Sequence, residues 1–67
     1  MKRTALIRSI RDQARAAGLD LILVREGREH AIWQVGAAKV SIPRHREISP
    51  GVTRKVLKAI EDELEGR

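Results

Sequence analysis

Cysteine is absent from the 67 residues, and so are phenylalanine and tyrosine; the one aromatic side chain is Trp33. Without cysteine there is neither a disulfide framework nor a thiolate metal site, a composition that suits a cytoplasmic protein. With a single indole to spend, the chain is expected to place Trp33 in its core, where it serves better than as a stacking platform for bases. Long apolar runs are also missing. No stretch approaches membrane-spanning length, and Met1-Lys2-Arg3-Thr4 leads into a charged amphipathic pattern rather than an apolar signal core. The chain therefore reads as soluble, with no membrane partner. No carboxylate or cysteine cluster has metal-ligand spacing, so neither a metal nor another cofactor is expected. There is no internal repeat and no low-complexity linker. A chain this short allows one domain, residues 1–67, close to the lower limit for independent folding and without room for a buried cofactor.

What the chain does have is positive charge. Fourteen Lys and Arg against nine Asp and Glu give a formal net charge of +5, and Glu61, Asp62, Glu63 and Glu65 crowd the end, so the remainder is more basic still. Such a field attracts polyanions before any specific contact forms, although many small basic proteins bind no nucleic acid.

Leu6, Ile7, Ile10, Ala14 and Ala17 recur at three- and four-residue steps. This spacing predicts a helix over Ala5 to Ala17, with Thr4 as N-cap and Gly18 as a left-handed terminator. Leu19 to Glu26, bounded by glycines and rich in branched residues, predicts a strand. Its doubly apolar run must leave either Leu21 and Leu23 or Ile22 and Val24 facing away from the helices. Gly27-Arg28-Glu29 turns the chain into a second strand, His30 to Val35, with Ala31, Trp33 and Val35 on one face and His30, Ile32 and Gln34 on the other. Gly36-Ala37 is the next turn, and Ala38 to Ile42 the third strand, with Val40 and Ile42 inward and Pro43 as its end. Arg44 to Ser49 reads as a basic connection. Ser49 as N-cap and Pro50 at the first helical position open a second helix, whose stripe is Val52, Val56, Leu57, Ile60 and Leu64. The charges of that helix run against its dipole, at a cost of a few tenths of a kcal/mol each, up to roughly 1. The order helix, three antiparallel strands, helix is an α+β two-layer sandwich, α-β-β-β-α, with both helices on one face of the sheet. Double-stranded-RNA-binding domains share this order, though topology alone assigns no function.

Two short stretches carry the chemistry: Gly27-Arg28-Glu29-His30-Ala31-Ile32-Trp33, and the run from Ile42-Pro43-Arg44-His45-Arg46-Glu47-Ile48 through Ser49-Pro50-Gly51-Val52-Thr53-Arg54-Lys55-Val56-Leu57. Imidazole changes charge near neutral pH, so a histidine among cations can take a proton from a hydroxyl while the cations hold a phosphate. Along nearly its whole length the chain resembles the HicA family, small ribonuclease toxins of bacterial toxin–antitoxin pairs with a double-stranded-RNA-binding-like fold. Members typically carry a glycine-serine-histidine turn with an aromatic three residues after the histidine. His30 to Trp33 keeps that spacing, while Gly27 and His30 are separated by Arg28 and Glu29. The second stretch is similar to the family's strand-end and helix-start signature. The resemblance implies a toxin of a type II pair, an endoribonuclease (mRNA interferase) that cleaves mRNA without metal. It makes His30 the catalytic histidine and implies a HicB-like antitoxin that blocks it.

Proximity in the expected sheet and loop makes Arg28, Lys39, Arg44 and Arg46 the candidate RNA-binding cations. His45 stands among them either as a proton donor to the leaving oxygen or as an ordinary loop residue. The bland alternatives are a solvated histidine beside a turn, and Ser49-Pro50-Gly51 as nothing more than a helix start. A different class of function is a non-catalytic module that holds structured RNA through shape and phosphates. DNA binding ranks last, for want of a recognition-helix motif.

Overall fold

The computed structural model describes residues 1–66. Helix α1 (Arg3–Ala16) buries Leu6, Ile7, Ile10 and Ala14, the side of the helix on which the sequence concentrates its apolar residues. It starts two residues earlier than the sequence predicts. Lys2, extended, is the N-cap and offers no side-chain cap, so Thr4 lies in the first turn. The reason is tertiary: Lys2 bridges to Glu47, the Arg3 amide donates to the Arg46 carbonyl at 2.9 Å, and the Ile48 amide donates to the Met1 carbonyl at 2.8 Å. The distant loop thus supplies a backbone partner for the first free N–H of the helix and fixes its start ahead of Thr4. The other end follows expectation. Gly18 has φ 78°, and the Gly18 and Leu19 amides donate to the carbonyls of Arg15 (3.0 Å) and Ala14 (2.8 Å), a Schellman closure.

Strands β1 (Ile22–Glu26), β2 (His30–Val35) and β3 (Ala38–Pro43) form one antiparallel sheet in that order. The β2–β3 ladder runs from His30 opposite Pro43 to Val35 opposite Ala38. Between them Gly36 alone takes a positive φ, 57°, the pattern of a type II′ turn with glycine at its first central position. β1 is shorter than the apolar run predicts, because Leu19 and Leu21 leave the strand path and pack against the core. Its pairing with β2 also slips. Leu23 faces Trp33 and Arg25 faces Ile32, so Val24 is an extra residue in a β-bulge. Neither expected pair alone faces outward: the bulge breaks the alternation, Ile22 opposite Gln34 lies on the outer face, and Leu23, at the rim of the helix-side layer, and Val24 are exposed as well.

Helix α2 (Pro50–Glu65) begins as its sequence dictates, with the Ser49 hydroxyl accepting from the Val52 amide at 3.4 Å. No acid lies in its first turn and no base in its last. The Glu63 carboxylate nevertheless accepts from the Ala37 amide at 3.2 Å and ties this end to the β2–β3 turn. Leu6, Ile10, Val35, Ile42 and Ile60 are the largest fully buried side chains, so the core lies between both helices and the inner faces of β2 and β3. Ile48, which the sequence places in a connection, is buried too and anchors the basic loop from below. Trp33 is only half-buried; it packs against the core from the Leu23 side, and its indole Nε1 is buried without a hydrogen-bond partner among the described residues. An unpaired buried donor of this kind costs about 1–3 kcal/mol. No helix among the described residues is long and apolar enough to cross a membrane.

Candidate functional site

His30 opens β2 on the face opposite the helices and is exposed. Its backbone is held from two sides. The Gly27 amide donates to the His30 carbonyl at 2.8 Å, and the Arg44 amide donates to the Glu29 carbonyl at 2.9 Å, which extends the β2–β3 ladder past Pro43. The Arg44 guanidinium completes the frame by donating to the Gly27 carbonyl at 3.2 Å and pairing with Glu26 at 3.3 Å. The imidazole itself has no hydrogen-bond or ion-pair partner among the described residues.

Gly27 has no freedom to carry a side chain. A Cβ built there would lie 2.8 Å from the His30 carbonyl oxygen, which is backbone and cannot swing aside. Relief requires the 27–30 turn to open and His30 to move. Gly27→Ala is expected to cost about 1–3 kcal/mol, the scale of overpacking a tight site. Thermal melts of the two proteins would show it as a clear drop in Tm, and an unchanged Tm would contradict this turn geometry.

Two hollows meet at His30. One, about 230 Å³, belongs to the β1–β2 hairpin and is lined by Arg25, Arg28, Glu29 and Ile32 beside the histidine. The other, about 370 Å³, is a groove between β3 and α2 into which Lys39, Ser41 and Lys55 also open, with Val52 and Ala59 on its helical wall and no acid along it. Of the cations read from the sequence, Arg28 thus shares a hollow with His30. Lys39 shares the groove, but four residues back along β3 from Pro43, roughly 13 Å at 3.3 Å per residue.

Arg44, His45 and Arg46 line a third hollow of about 670 Å³ together with Lys2, Arg3 and Thr4. Nearness in the chain groups these loop residues with His30. In the fold His45 and Arg46 turn toward the start of α1, where the Lys2–Glu47 bridge draws the loop, while Arg44 lines the same hollow but keeps its guanidinium on the His30 hairpin at Gly27 and Glu26. Four further cations near these hollows were not among the sequence candidates. Lys55 carried a signal, since it stands near the basic start of α2. Arg25 reaches the outer face only because the bulge at Val24 puts it opposite Ile32. Lys2 and Arg3 join the loop through long-range backbone pairing that leaves no local trace.

Among the described residues no group of three or more His, Cys, Asp or Glu side chains is arranged to hold a metal ion. No protein-family model, no curated protein and no solved structure matches the chain.

Proposed function

We propose that the chain is the toxin of a type II toxin–antitoxin pair of the HicA kind, a metal-independent endoribonuclease that cleaves mRNA in the cytoplasm with His30 as general base. The observation that carries this reading is the position of His30: an exposed imidazole with no protein partner among the described residues, at the junction of two hollows that both hold cations. RNA brings its own nucleophile. The imidazole takes the proton of a 2′-hydroxyl, the 2′-oxygen attacks the adjacent phosphorus, and the bond from phosphorus to the 5′-oxygen breaks. That oxygen takes a proton from water, leaving a 2′,3′-cyclic phosphate and a 5′-hydroxyl. Charge gathering on the phosphoryl oxygens is met first by Arg28 and Arg25, which share the hairpin hollow with His30. Lys39 serves neighbouring phosphates along the groove, and Arg44, His45 and Arg46 serve the RNA backbone from their own hollow. A HicB-like antitoxin would cover the outer sheet face, which carries His30 and the exposed Ile22, and so hide apolar area and the base together.

A second reading, a non-catalytic RNA-binding module, is favoured by one feature: no side chain among the described residues orients the His30 imidazole, as a catalytic base commonly requires. The two part on a simple assay. Purified protein incubated with a long RNA is expected to cut it, in EDTA as well as without, to fragments ending in cyclic phosphate and 5′-hydroxyl, and to leave DNA of the same sequence intact. Cleavage of the DNA, or loss of activity in EDTA, would overturn the mechanism. RNA that is bound but not cut would leave the binding module.

A further inference from the structure

The hollow at the start of α1 is built rather than incidental. Its walls are locked by the Arg3 and Ile48 amides bonding across to Arg46 and Met1, and by the Arg3 Nε donating to the Pro43 carbonyl at 3.1 Å. No acid lines it. Among the described residues the side chains of Lys2, His45 and Arg46 have neither a hydrogen bond nor an ion pair, whereas Arg44 and Lys58 are paired with Glu26 and Asp62. Like charges gathered in a concavity repel one another, and a fixed backbone prevents them from spreading apart. An anion that enters relieves this repulsion and gains several donors at once from a backbone already held in place.

We propose that this basin seats a phosphate of the same RNA strand at a nucleotide beyond the one that reacts at His30, with Lys2, His45 and Arg46 as its principal ligands. The proposal rests on RNA being the substrate. It assigns Lys2 a binding role that sequence reading did not, and it sets a minimum substrate length. His30 and Pro43 are cross-strand partners, and His45 lies two residues further on. The two histidine Cα atoms are therefore at most about 13 Å apart, from a cross-strand spacing of roughly 5.5 Å and two steps of 3.8 Å. A stacked strand rising about 3.4 Å per nucleotide covers that distance in roughly four nucleotides. A dinucleotide has a single phosphodiester, the one that reacts at His30, and so has none left for the basin. A strand of about eight nucleotides can reach it.

The test uses full-length His30→Ala protein, which holds RNA without turning it over, and compares it with the same protein carrying Lys2→Gln and Arg46→Gln. Both side chains are exposed and free of hydrogen bonds and ion pairs among the described residues, so matched thermal melts are expected; a Lys2→Arg, Arg46→Lys version, which keeps the charge, is the control for lost fold. By fluorescence anisotropy the eight-nucleotide RNA should bind the glutamine protein about 10- to 100-fold more weakly, as expected for one or two charge-assisted hydrogen bonds. The plot of log affinity against log salt should flatten by about 0.7 for each phosphate that is no longer neutralised. The dinucleotide should bind both proteins alike, and the charge-keeping version should recover most of the loss. Inorganic pyrophosphate at matched ionic strength should displace the longer RNA from the His30→Ala parent only at concentrations far above those of the RNA itself.

Equal affinity and equal salt slope for the two proteins on the longer RNA would overturn the seat while leaving RNA as substrate. Pyrophosphate binding more tightly than the longer RNA would mark a small-anion site and also overturn it. Cleavage by the His30→Ala protein would instead sink the role of His30 and leave the binding comparison standing.

Discussion

His30→Ala protein is expected to cleave a long RNA about 10²- to 10⁴-fold more slowly than the parent, the usual loss when a general base is removed. In cells the same change is expected to abolish growth inhibition. The fold should survive. His30 is exposed, its side chain makes no hydrogen bond among the described residues, and the backbone carbonyl that receives the Gly27 amide is kept in alanine. What remains is a strand-propensity term of at most about 1 kcal/mol. Cleavage rates and melts run side by side separate the two effects. A well-folded variant that cuts as fast as the parent would remove His30 from the chemistry.

The largest stability loss is expected at Ile60→Ala. Ile60 is fully buried and is where α2 meets the common core of α1, β2 and β3, so its truncation leaves a cavity that fixed neighbours cannot close. Such changes cost about 2–5 kcal/mol. A single core in a domain of this size supplies about 3–5 kcal/mol in all, so the variant should be largely unfolded at room temperature or melt far below the parent. Urea and thermal unfolding followed by circular dichroism would measure it. A loss under about 1 kcal/mol would mean that α2 is not seated as described.

These two residues also show what can be read along a chain. Ile60 and its stripe are legible because helical period and a Ser49-Pro50 start are local signals, written within a turn or two. His30 falls at the head of its strand for the same reason: Gly27 before it and the alternation after it fix where pairing begins. Thr4 misleads because its hydroxyl can be weighed only against its own neighbours, while the helix start is moved ahead of it by the Arg3 amide bonding to the Arg46 carbonyl, more than forty residues away, and the Leu6 amide that Thr4 would have capped bonds to the Lys2 carbonyl instead. The bulge is hidden in Leu21-Ile22-Leu23-Val24, where a run of apolar residues has no alternation to betray an extra one. The same long-range pairing that displaces the cap also carries His45 and Arg46 toward Lys2, and no spacing rule could have split them from Arg44, whose guanidinium stays on the His30 hairpin.

That extra residue in β1 bears on how the protein survives at high concentration. β1 is an edge of the sheet, and Ile22, Leu23 and Val24 present three consecutive exposed branched side chains beside its unpaired backbone groups. A flat strand with this sequence would be a template onto which another chain could add in register, the first step toward fibrous aggregates. The bulge interrupts the regular spacing of donors and acceptors and strengthens the local twist, and Arg25 and Glu26 follow it at once with charge. An irregularity that brings Arg25 onto the outer face thereby also acts as a guard against runaway strand addition in a sequence with little core to spare.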